Sequence, residues 1–190
     1  MTSVPVAQKM TAAEFLAQPP SRRAQRRQLV HGEVIVSEPT ALHGYVVMNV
    51  LFALGTWARE GSNRGQALVP IDVELDRHNV FVPDLLWYSQ GKAPGAQAQP
   101  PYALPDIAVE VRSPSTWRYN LGAKKAGYED KGLPELWLID TLAHTVLVYR
   151  RSSAGAPAFD VALELAEPEQ LASPLLPGFG VAVTEIFRLP

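Results

Sequence analysis

Cysteine is absent from the 190 residues, which excludes disulfide staples, thiolate metal sites such as zinc ribbons, and cysteine nucleophiles. Nothing in that absence argues for secretion, and a reducing compartment is permitted. Long hydrophobic runs are lacking too. The most apolar window, Tyr45 to Trp57, is interrupted by Asn49 and falls short of the roughly 20 residues that a membrane span needs. The opening MTSVPVAQKM has no continuous apolar stretch of the kind a signal peptide carries. A soluble, cytoplasmic protein is the expectation. Charge of one sign is also scarce: a formal net charge of -2 gives no overall pull on nucleic acid, so any such contact needs a local basic patch.

What is present is a chain with 47% hydrophobic and 19% charged residues, enough for one domain with a full core spanning residues 1–190. No internal repeat is visible. Thr11-Ala-Ala-Glu14 has capping-box spacing and predicts a short helix through Gln18, ended by Pro19 and Pro20. The run SRRAQRR, Ser21 to Arg27, suits a solvated surface turn or contacts to phosphates. Gln28 to Val36 reads as a hairpin turning at His31-Gly32, with the glycine supplying positive φ. From Ala41 to Arg59 the apolar residues Val46, Val50, Leu54 and Trp57 recur at helical spacing, with Gly61 placed as a C-terminal cap. Two strands follow, ending at Pro83-Asp84, and then a Gly/Pro/Gln-rich loop from Gly91 to Pro105.

DIAVEVRS is a strand with Ile107, Val109 and Val111 on one face and Ala108, Glu110 and Arg112 on the other. A carboxylate in such an apolar setting is costly to desolvate unless it is paired, hydrogen-bonded or bound to a cation. Glu110 therefore asks for an explanation. Ser113, Ser115 and Thr116 stand where a helix N-cap is expected and read as capping or phosphate-facing amides, not as nucleophiles, and the helix is predicted from Arg118 to Lys131, closed by Gly132. ELWLID and VLVYRR are strands, so strand, crossing helix and strand form a right-handed βαβ unit. FDVALEL reads as an edge strand, and LLPGFGVAVTEIF as a loop entering a last strand or short helix. Trp57, Tyr128 and Trp137 read as packing residues, and His31, His78 and His144 as turn residues without ligand spacing.

Taken in order, Pro83-Asp84, then Glu110-Val111-Arg112-Ser113-Pro114-Ser115-Thr116, then Lys124, Tyr128, Gly132-Leu133-Pro134-Glu135, Trp137 and Asp140 resemble the pattern of the Uma2 family (once DUF820), of the PD-(D/E)XK superfamily. Gly32-Glu33, His43 and LLPGFGVAV add to the resemblance, which covers nearly the whole chain. It implies an α/β fold of the α+β mixed-sheet kind: a restriction-endonuclease-like core with an N-terminal antiparallel hairpin and flanking helices. Three departures stand out. Gln28 and Asn120 occupy positions where the family commonly has acids, and Arg112 stands where the usual signature has lysine, so that Lys124 looks like a lysine migrated to the helix.

The activity implied is hydrolysis of phosphodiester bonds, a reaction that a divalent ion held by two carboxylates serves by supplying the nucleophilic water and neutralising the developing charge. Magnesium or manganese suits such a site, because Mg²⁺ keeps several waters and takes only one or two protein carboxylates. The resemblance assigns Asp84 and Glu110 as metal ligands and catalytic residues, and Lys124 as the group assisting the attacking water. Arg112, His43 and Gln28 are supporting candidates. Asp84 and Glu110 are 26 positions apart and meet only if their strands are neighbours in one sheet. DNA is the expected partner and a homodimer the expected assembly. Two other readings stay open: a nucleic-acid-binding or regulatory module of the same fold without turnover, and a small oligomeric structural protein.

Overall fold

The capping box forms as its spacing requires. Thr11 Oγ1 accepts from the Glu14 amide at 3.2 Å while Glu14 Oε2 accepts from the Thr11 amide at 2.7 Å, opening α1 (Ala12–Leu16). The computed structural model describes residues 9–19 and 26–190, so the expectation for Ser21 to Gln25 lies outside the described residues. β1 (Arg26–Val30) and β2 (Glu33–Ser37) make the hairpin. Its turn uses positive φ at both positions, 52° at His31 and 80° at Gly32, the pair of left-handed residues that a two-residue hairpin loop demands.

α2 (Ala41–Arg59) is the long helix, capped by Thr40 through the His43 amide. Its last residue is followed by Glu60 in a right-handed conformation, so the cap predicted at Gly61 is not used. At 19 residues α2 is long and apolar enough to cross a membrane by length and composition. Here Val46, Val50, Leu54 and Trp57 instead pack on a sheet.

Next come β3 (Gln66–Leu68), β4 (Val73–Asp76), β5 (Asn79–Phe81) and β6 (Leu85–Tyr88). The last of these is a strand beyond the expected stop at Asp84. All four of its residues are buried, and a strand covered on both faces shows a continuous apolar run without alternation. β7 (Ile107–Val111) follows the loop. The crossing helix runs as α3 (Trp117–Tyr119), a π-turn over Asn120–Lys124, and α4 (Lys125–Asp130). No side chain caps its start; Ser113 Oγ instead lies 3.0 Å from Thr116 Oγ1, which corrects the capping role expected there. β8 (Glu135–Asp140), β9 (Thr145–Arg150) and β10 (Val161–Leu165) complete the main sheet. β11 (Gln170–Leu171), β12 (Val181–Ala182) and α5 (Val183–Ile186) close the described chain.

The main sheet has the order β10-β9-β8-β7-β6-β3 and the smaller one β2-β1-β5-β4. Only β7 and β8 run parallel within the main sheet, as the helix between them requires. Strand parity then sorts the two faces. Ile107, Val109, Val111, Trp137 and Ile139 meet α2, α5 and Phe179 on one side, while Ala108, Leu136 and Leu138 meet Trp117, Tyr128, Val30 and Phe81 on the other. Glu110 belongs by parity to this second side, between the crossing helix and the small sheet.

Candidate active site

The chain leaves the small sheet at Phe81 and enters the main sheet at Leu85, and Asp84 lies on this passage. Its amide donates to the Val109 carbonyl at 2.9 Å. β6 pairs with β7 from Leu85 with Val109 onward, and Asp84, just before that ladder, lies beside the end of β7 that carries Glu110, close enough for its charge to act on that carboxyl. Two like charges across adjacent strands repel, and each is met by its own cation.

For Asp84 the partner cation comes from the small sheet: the Arg26 guanidinium pairs with Oδ1. His43, in the first turn of α2, places Nε2 at 3.1 Å from the same oxygen, and the Val111 amide donates to Oδ2 at 2.7 Å. Burial pushes this carboxyl's pKa up, but the His43 contact, the Arg26 charge and the Val111 hydrogen bond outweigh it and hold the group below its ordinary value. Arg26 was not singled out by the sequence, where it sat in a basic run read as solvated or phosphate-facing. Arg27, its neighbour, binds Gln18 Oε1 at 2.9 Å and the Pro19 carbonyl at 3.1 Å, so neither described arginine of the run is simply solvated.

For Glu110 the partner is Lys124, whose ammonium pairs with Oε1 inside the protein and lies 5.5 Å from the centre of the Phe81 ring. Only 1% of the Lys124 side chain is exposed. The Tyr128 hydroxyl donates to the same Oε1 at 2.8 Å, so Tyr128 is more than the packing residue its position suggested. Glu110 is raised above its ordinary pKa because burial, aided by the Asp84 charge, exceeds the help from Lys124 and Tyr128. The Tyr128 hydrogen bond and the Lys124 ion pair both fall on Oε1, and Oε2 receives no hydrogen bond among the described residues.

The π-turn bears on this arrangement. Residues spaced by four drift about 40° per step around a regular α-helix, and a wider turn reduces that drift. Asn120, Lys124 and Tyr128 are all buried along one side of the crossing helix, and the last two touch Glu110. Local widenings of this kind recur at functional sites. On the opposite wall, Gln28 shares its strand face with Arg26 and Val30 by parity. Gln28 Oε1 and Asn120 Oδ1 are buried with no hydrogen-bond partner.

The candidate residues are therefore distributed unequally. Asp84 contacts His43, Glu110 contacts Lys124, the Val111 amide ties Asp84 to the strand of Glu110, and Gln28 lies on the strand that supplies Arg26. Arg112 is spent elsewhere. One guanidinium nitrogen lies 2.9 Å from both carboxylate oxygens of Asp140, and the group sits 5.5 Å from the Trp117 ring. Parallel register explains the pairing: Val111 is matched with Ile139, so the next residues out are Arg112 and Asp140. In this structure Arg112 forms a cross-strand ion pair and no contact with Asp84 or Glu110 among the described residues.

The match to the family model described as "Putative restriction endonuclease" runs over residues 12–184. The chain belongs to the Uma2 family. No curated protein matches it. Among solved structures, the chain is similar to one described as "a putative nuclease belonging to DUF820 from Anabaena variabilis ATCC 29413", at 18% identity and a TM-score of 0.77, over 94% of this chain and 97% of that one. That likeness establishes the nuclease-like mixed α/β fold.

The superfamily's use of divalent ions can be tested on the donor set. Among the described residues no group of three or more His, Cys, Asp and Glu side chains is arranged to hold a metal. A cation here would rest on two carboxylates, with any further ligands being neutral oxygens or water. Neighbouring carboxylates, one with an oxygen that accepts no hydrogen bond, together with buried amide oxygens lacking donors, are hard oxygen groups of the kind Mg²⁺ and Mn²⁺ take. The residues fit.

Proposed function

We propose that this Uma2 protein is a nuclease that hydrolyses phosphodiester bonds of DNA, with Asp84 and Glu110 holding Mg²⁺ or Mn²⁺ and Lys124 assisting the attack. The observation supporting the reading is that the Asp84 carboxylate binds the amide of Val111, the residue after Glu110, and that Glu110 in turn holds a buried ammonium. A bound divalent ion supplies a Lewis acid for the phosphate oxygens and a lowered pKa for a coordinated water. The chain's own part is positioning. The Val111 amide and His43 fix the Asp84 carboxylate, Tyr128 fixes that of Glu110, and Lys124 brings a positive charge to the place where charge builds on the attacked phosphate.

Purified protein with plasmid DNA and Mn²⁺ is expected to nick or cut it, and Glu110→Ala and Asp84→Ala to abolish the cleavage. Equal cleavage by wild type and Glu110→Ala removes the assignment. One observation favours a second reading, a nucleic-acid-binding module without turnover: Arg26 and Lys124 already balance the two carboxylates. Calorimetry separates the two, since the module requires no divalent-ion binding at millimolar concentration. The homodimer is supported by Tyr45, Met48 and Phe52, which expose an apolar stripe on α2, and sedimentation at several concentrations decides it.

A further inference from the structure

Two buried carbonyl oxygens, on the strand that carries Arg26 and the helix that carries Lys124, have no hydrogen-bond donor, and Lys124 Nζ is a third buried polar atom without a hydrogen-bond partner. Gln28 is 5% exposed and Asn120 2%, and neither Gln28 Oε1 nor Asn120 Oδ1 has a hydrogen-bond partner. An unsatisfied buried polar group is costly, so its retention calls for a ligand. Both positions lie on the sides of their elements whose other residues touch the acids. Asn120 precedes Lys124 by four and Tyr128 by eight on the buried side of the crossing helix, and those two both touch Glu110. Gln28 is two residues from Arg26, which binds Asp84, and two from Val30, which packs in the cluster of Phe81 and Tyr128.

Charge makes these neutral oxygens matter. Asp84 and Glu110 are countered by Arg26 and Lys124, leaving the four charges in balance. A divalent cation entering that setting gains little from net charge, and additional oxygen ligands then decide how tightly it is held. We infer that Asn120 and Gln28 are the neutral oxygen donors of the cation site, Asn120 on the Glu110 side and Gln28 on the Asp84 side, and that they set its affinity. The inference rests on the cation site proposed above.

Mn²⁺ titration calorimetry on the whole protein without nucleic acid, with thermal unfolding in parallel, tests it. Wild type is expected to bind one Mn²⁺. Asn120→Leu, similar in volume but lacking the oxygen, weakens binding at least about tenfold, and Gln28→Leu acts in the same direction. Asn120→Asp keeps an oxygen in place, adds a charge and tightens binding at least about tenfold, so that Mn²⁺ raises its unfolding temperature more than that of wild type. Affinities within a factor of about two of wild type for the Asn120 variants overturn the inference and leave the cation site standing. Absence of Mn²⁺ binding by wild type overturns both. Should Asn120→Leu fail to fold, the isosteric Asn120→Asp carries the test alone: unchanged or weaker binding refutes the role.

Discussion

Lys124→Met isolates the electrostatics of the buried pair. Methionine is close in length, and its thioether packs well against an aromatic ring, here Phe81; packing is therefore largely kept while the ammonium is lost. Breaking a buried ion pair from one side costs about 3–5 kcal/mol, because the remaining charge is stranded. Glu110 has an escape, which is to take a proton. Each pH unit above a carboxyl's pKa makes protonation cost about 1.36 kcal/mol. From the ordinary value of 4.5, the escape costs about 3 kcal/mol at pH 7 and under about 1 kcal/mol at pH 5. These are ceilings, since Glu110 is already raised in the native protein and the variant no longer buries an ammonium. Lys124→Met is thus expected to lose up to about 3 kcal/mol at pH 7 and under about 1 kcal/mol at pH 5. Urea unfolding in EDTA at pH 5, 6, 7 and 8 measures it. Adding Glu110→Gln to Lys124→Met should recover part of the loss at pH 7. A loss of the same size at every pH refutes the reasoning and assigns the cost to packing.

Tyr128→Phe removes one donor to the Glu110 carboxylate and is expected to cost about 1.5–3 kcal/mol, the range for a hydrogen bond to a charged group; urea unfolding at pH 7 showing no loss counts against that bond. Arg112→Met breaks a partly exposed pair, so about 1 kcal/mol of stability should go while Mn²⁺ affinity by calorimetry stays at the wild-type value. Weakened Mn²⁺ binding in that variant returns Arg112 to the site. Glu135 is buried at the other end of β8, accepting from Trp137 Nε1 at 2.6 Å and Ser173 Oγ at 2.7 Å. Burial raises its pKa, and the bonds from Ser173 and Trp137 and the Arg150 charge do not cancel that rise. Stability from this group is therefore full below about 4.5 and lost as pH rises through the raised folded value. Glu135→Gln should gain on wild type across that interval and then run parallel; parallel stability curves at all pH values from 4 to 8 contradict it.

Periodicity carried most of the fold. The helix over residues 41–59, the hairpin at His31-Gly32 and the sorting of Ile107, Val109 and Val111 away from Glu110 all follow from spacing, because burial on one face leaves a periodic trace. β6 left none. Leu85-Leu86-Trp87-Tyr88 is buried throughout, and an unbroken apolar run that short is silent on whether a strand continues or ends. Its omission also misplaced Asp84, read as the end of one strand when it is the approach to another. The shift matters for chemistry, since β6 pairs with β7, and that pairing brings Asp84 beside the end of β7 that carries Glu110.

The site itself was legible in proportion to how local its contacts are. An acid within an apolar strand signals a partner, and Glu110 has two; the sequence offered Arg112 or Lys124, and of these the structure gives it Lys124. Tyr128 stands four residues beyond it, the same helix face one turn on, and that spacing was available as a signal for Tyr128 and equally for Asn120 four residues before. Arg26 carries no such mark. Its contact spans 58 positions and exists because the small sheet is set against the passage from β5 to β6, a relation between two sheets that no period within one segment encodes. The residues that neutralise the acids are therefore of two kinds: those on the crossing helix, recoverable from spacing by four, and the arginine from the hairpin, recoverable only from tertiary structure. Since the balance of charge around Asp84 depends on the second kind, the strength with which this pocket draws a cation is a property of how the two sheets meet, more than of the acidic motif alone.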